Sequence, residues 1–101
     1  MFTGKEGSAI TTTEASDMTE AYRDANPGAL KGHFIGKDIL NDILAQSGCM
    51  GIRIYYGIDE GKKTLVFVGA DSSEDDQVTG IIADRTESCP SRCGVSNDLD
   101  S

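Results

Sequence analysis

A chain of 101 residues with 17 acidic and 9 basic side chains, net charge −8, has room for one domain and one modest core. Such acidity repels a phosphate backbone or an anionic bilayer, and the adjacent basic pair Lys62-Lys63 sits in turn-like sequence, so nucleic acid and membrane are excluded as partners. No stretch nears the ~20 apolar residues of a membrane span, and the first ten residues hold no secretory-type apolar run. The expectation is a cytoplasmic protein whose Cys49, Cys89 and Cys93 are reduced thiols or metal ligands, a structural disulfide being disfavoured there.

Residues 1–12 are polar and Gly-rich and read as a flexible N-terminal tail. Thr11 and Glu14 have capping-box spacing, in which a hydroxyl and a carboxylate each take an orphan backbone N–H. Ala15, Met18, Tyr22 and Ala25 continue at helical intervals, predicting a helix over about 13–25 that Asn26-Pro27-Gly28 stops. A stronger helix is expected over 36–46. Ile35, Ile39, Leu40, Ile43 and Leu44 share one face, and Gly48 follows where a left-handed residue is wanted.

Strict alternation then takes over. Ile52, Ile54, Tyr56 and Ile58 point one way and Arg53, Tyr55 and Gly57 the other, which predicts a strand over 52–58. Asp59-Glu60-Gly61-Lys62 has turn chemistry. The segment 64–70 is apolar on both faces and reads as a central strand, antiparallel to the first. Gly80–Asp84 is a short third strand. The fold class is α+β: two helices packed on a small antiparallel three-stranded sheet, with flexible termini. The domain occupies 13–85, and 86–101 is a polar, Cys-containing C-terminal tail.

Chemistry-bearing residues are few. Cys89-Pro90-Ser91-Arg92-Cys93 is a C-x3-C that could present two sulfurs to zinc or an iron–sulfur cluster, with Cys49 and His33 completing a Cys3His set. Arg92 would favour a thiolate at Cys93. A simple meander opposes that set. It puts Cys49 at the start of one strand and Cys89 beyond the end of a parallel one, roughly 20 Å away at ~3.3 Å per residue. His33 reads as a hydrogen-bonded structural residue. Asp71, Glu74, Asp75 and Asp76 lack the spacing of a calcium loop and read as a solvated turn. No nucleophile-elbow or phosphate-loop motif is present, so an enzyme is not expected. Arg53 and Tyr55, on the face away from Ile52 and Ile54, are of types enriched at protein interfaces.

The stretch Lys31-Gly-His-Phe-Ile-Gly-Lys-Asp-Ile-Leu, Gly51-Ile-Arg-Ile-Tyr-Tyr-Gly and Thr64-Leu-Val-Phe-Val-Gly-Ala-Asp71 resembles a group of short uncharacterised bacterial proteins of the Bacteroidota. These share a Gly-Lys-x-Ile-Leu helix, a Cys-x-Gly-Ile-Arg strand entrance, a Tyr-x-Gly hairpin and a Cys-Pro-rich tail. The resemblance covers roughly 31–94 and implies a bacterial cytoplasmic protein without an established activity. Gly48-Cys49-Met50-Gly51 and Cys93-Gly94 are also faintly similar to A-type iron–sulfur carriers, although the C-x3-C spacing departs from that family's Cys-x-Cys-Gly. Two functions follow as expectations. The first is a module that contacts protein, itself included, through Arg53 and Tyr55, with no cofactor. The second is a zinc or iron–sulfur protein using Cys89, Cys93 and Cys49.

Overall fold

The computed structural model describes residues 1–100. Its elements are α1 (Thr12–Ala25), β1 (Gly32–Phe34), α2 (Lys37–Leu44), β2 (Cys49–Asp59), β3 (Lys62–Asp71), β4 (Ile82–Ala83) and β5 (Glu87–Cys89). The architecture is α+β, with a three-stranded antiparallel sheet ordered β2-β3-β4 and a two-stranded sheet of β1 and β5. Contacts divide the chain into two units. One comprises Met1–Glu6 and Ile35–Thr86, the other Gly7–Phe34 and the residues from Glu87 onward. This grouping differs from the expected domain over 13–85 with a tail on either side: α1 and β1 belong with the C-terminal segment.

The first unit holds the core. Asp59 pairs with Lys62, so the hairpin turn is Glu60-Gly61, and both residues have positive φ (50° and 78°). That is a two-residue turn of the primed type, whose twist matches that of the strands. Amphipathic α2 packs on β2 and β3, burying Ile43 completely against Phe67 and Ala83, with Ile35, Ile39, Ile52, Leu65 and Ile81 around them. Leu44, expected on the same face, stays exposed. Because Val68 and Ala70 are buried as well as Phe67, β3 is covered on both faces, as a central strand should be.

Gln46, just after α2, ties the helix to the chain ahead of β4. Its Nε2 donates to Ile43 O at 3.0 Å, and its Oε1 accepts from Ile81 N–H at 2.7 Å. Gln77 Nε2 donates in turn to Ser47 O at 2.9 Å. A Cβ on Gly80 would run into Gln46 Oε1, so a side chain there would push that amide away from Ile81 N–H. Gly48 has the left-handed φ expected of it, although the helix ends earlier, at Leu44.

In the second unit α1 starts on the expected capping box, Thr11 Oγ1 accepting from Glu14 N–H at 3.1 Å and Glu14 Oε1 from Thr11 N–H at 3.2 Å. The helix buries no residue, and Met18 of its apolar stripe is 62% exposed. β1 and β5 pair antiparallel, Gly32 opposite Cys89 and Phe34 opposite Glu87. Arg23 Nη1 donates to Leu99 O at 2.6 Å and Lys31 Nζ to Asp100 O at 2.5 Å.

Candidate functional site

Arg53 and Tyr55 lie two apart on β2 and so share a face. Both reach Asp76. Arg53 Nη1 donates to Asp76 Oδ1 at 2.5 Å and to Glu74 O at 3.1 Å, while the Tyr55 hydroxyl donates to Asp76 Oδ2 at 2.5 Å. The Tyr55 hydroxyl, followed by Arg53, holds the Asp76 carboxyl below the usual carboxylate range, and bonding to Asp76 pushes the Tyr55 phenol up. The Arg53 guanidinium also lies over the Phe2 ring, 5.3 Å from its centroid. Phe2, Gly4, Glu6, Met50, Ile52 and Arg53 border a cavity of about 340 Å³. The acidic loop supplies the anchor here: Asp76 serves as a partner, and Asp71 Oδ1 accepts from Ser73 and Asp75 N–H within the loop.

The opposite face of β2 changes along its length. Ile52 is in the core, but Ile54, Tyr56 and Ile58 are 51%, 82% and 82% exposed. Ile54 stands opposite buried Phe67 and Tyr56 opposite half-buried Leu65, so on this face it is the β3 side of the hairpin that the core covers. Lys63, opposite Ile58 on β3, holds its ammonium 5.7 Å from the Tyr56 ring centroid. β2 is also an edge strand, with β3 its one strand partner among the described residues. Phe2 and Gly4 lie beside its first residues, at Arg53 and Met50. Residues 54–59 thus combine a free backbone edge with an exposed apolar row. Alternation in the sequence groups that row with Ile52 and does not reveal which of its members are covered.

The cysteines are arranged otherwise than expected. Cys89 and Cys93 are joined in a disulfide, with Cα atoms 4.8 Å apart, which corrects the expectation of reduced thiols. Only three residues separate them, so the ring closes inside one turn at the end of β5. Cys49 is a free thiol in the first unit, donating to Gly51 O at 3.2 Å, whereas the bonded pair lies in the second. The residue that accompanies the pair is Asp100. Its carboxylate and the two sulfurs each offer an atom within 4.8 Å of the others. Nothing in the sequence pointed to it, since an Asp near the end of a polar segment resembles any solvating charge. The three border a cavity of about 300 Å³ that His33, Arg92 and Lys31 also line.

Among the described residues no helix is long and apolar enough to cross a membrane. Comparison with family models, curated proteins and solved structures found no match.

Proposed function

We propose that the chain is a protein–protein interaction module that assembles with a second copy of itself, the 54–59 edges of two β2 strands pairing antiparallel about Tyr56. The reading is carried by the self-complementary order of side chains on that strand. With Tyr56 opposite its own copy, Tyr55 faces Gly57, Ile54 faces Ile58 and Arg53 faces Asp59. Each match is a stabilising cross-strand type: an aromatic ring over a glycine, two β-branched residues, and opposite charges. A two-fold axis makes every one of them occur twice. Between 54 and 58 the edge holds no Pro and no charged residue, the side chains that commonly block such pairing.

This reading keeps Arg53 and Tyr55 at the interface and adds Ile54, Tyr56 and Ile58. It invokes no cofactor, nucleic acid or catalysis, and places the module in the cytoplasm of a bacterium, in line with the resemblance of 31–94. Sedimentation equilibrium tests it. The wild-type chain is expected to show a monomer–dimer equilibrium, and Tyr56→Lys, which sets two ammonium groups face to face on the axis, should weaken it at least about tenfold, or 1.4 kcal/mol. A strict monomer at millimolar concentration, or equal association by Tyr56→Lys and wild type, would refute it.

A further inference from the structure

We propose that Cys89, Cys93 and Asp100 form a redox-gated site for a zinc-class divalent cation. Three potential ligand atoms from one turn and one C-terminal residue already lie within 4.8 Å of one another. Around a tetrahedral zinc with Zn–S near 2.3 Å, ligand atoms sit about 3.8 Å apart, so the existing cluster needs adjustment and not assembly. Two thiolates with one carboxylate suit zinc better than calcium or magnesium, which take oxygen ligands. Water supplies the fourth position.

The surroundings fit this use. Asp100 Oδ1 accepts from Asn97 N–H at 2.8 Å, and Lys31 Nζ bonds the backbone oxygen of Asp100, which leaves the carboxylate with lone pairs to spare. The Asn97 contact aims the carboxylate, as outer partners of a metal ligand do. Cys89 is held through its backbone, its carbonyl accepting from the N–H of Lys31 just ahead of β1 at 2.6 Å and its Cα paired with Gly32 of β1, which fixes one arm of the site. Arg92 lines the same cavity, its guanidinium 3.8 Å from the Glu87 carboxylate.

The gate is the sulfur–sulfur bond. While it stands, neither sulfur carries the charge a metal requires. An external thiol reductant supplies two electrons and two protons: the Cys89–Cys93 bond breaks, two thiols form, and the reductant leaves as its own disulfide. Binding of the cation then displaces both thiol protons to solvent. A reducing compartment would therefore load the site and an oxidising one would empty it.

Cobalt(II) titration of the full chain is the test, because thiolate ligation gives an intense near-ultraviolet charge-transfer band. The reduced chain should take up one equivalent with that band, and the oxidised chain none. Asp100→Asn should weaken binding at least tenfold, and Cys49→Ser should bind as wild type does. The band should vanish in the Cys89→Ser, Cys93→Ser double variant, whose far-ultraviolet dichroism reports whether the fold tolerates loss of the bond. A reduced chain that binds no cobalt, folded or not, overturns the proposal. So does a band that needs Cys49 or ignores Asp100. None of these outcomes bears on assembly through β2.

Discussion

Asp76 shows what a single side chain contributes that its neighbours in sequence conceal. Among Asp71, Glu74, Asp75 and Asp76 it has the ordinary look of a solvated turn, and its partners Arg53 and Tyr55 stand more than twenty positions earlier. Pairing across such a distance has no local signature, so the outward face of β2 was legible in the sequence and its anchor was not. The consequence is a pH dependence. The Asp76 carboxyl titrates lower in the fold than in the unfolded chain, so its contribution is complete above the unfolded carboxylate pKa and is lost as pH falls through the folded value. The Tyr55 phenol titrates higher in the fold, so its contribution is complete below the unfolded tyrosine pKa and is lost as pH rises through the folded one. Thermal melts of Asp76→Asn are expected to fall less steeply than wild type on both the acid and alkaline flanks. Parallel profiles would contradict this account.

Among the elements, those with a strong period were readable and those without were not. α2, β2 and β3 follow from apolar residues at helical and then alternating spacing, and the Glu60-Gly61 turn follows from its chemistry. Boundaries moved outward in the strands because backbone pairing continues past the last apolar residue, from Cys49 to Asp59 and from Lys62 to Asp71. β1 and β5 are three residues each, and Gly-His-Phe and Glu-Ser-Cys have no period to detect; each is a strand because the other is beside it. α1 was legible through its cap and stripe, yet it buries none of its residues, so a well-formed helical pattern did not imply burial. The fully buried Ile43 carries the opposite expectation. Ile43→Ala opens a hole between α2 and β3 and should cost about 2–5 kcal/mol in chemical denaturation. A loss below 1 kcal/mol would mean that the core closes over the gap.

At the scale of the molecule, the two units are not consecutive in sequence, which reading along the chain could not foresee. The acidic composition and moderate apolar content fitted one domain, and the polar character of 86–101 suggested a tail. What ordered that tail was pairing with β1 and a disulfide, and both depend on residues meeting in space. Compartment logic argued against the bond because it weighs cysteines by environment and not by their separation in the chain. The candidate site divides in the same way: Arg53, Tyr55, Cys89 and Cys93 came from residue type and spacing, while Asp76, Asp100 and the exposed row of β2 came from geometry.

The β1–β5 register also sets an order of events. Phe34 must find Glu87 across the whole intervening segment, whereas β2 and β3 need close only a two-residue turn. Loop-closure entropy makes the short search fast and the long one slow until the segment between has become compact. Pulse-labelling exchange during refolding is therefore expected to protect the amides of β2 and β3 first and those of Gly32–Phe34 afterwards. Simultaneous protection would show that the distant ends meet without waiting for the hairpin.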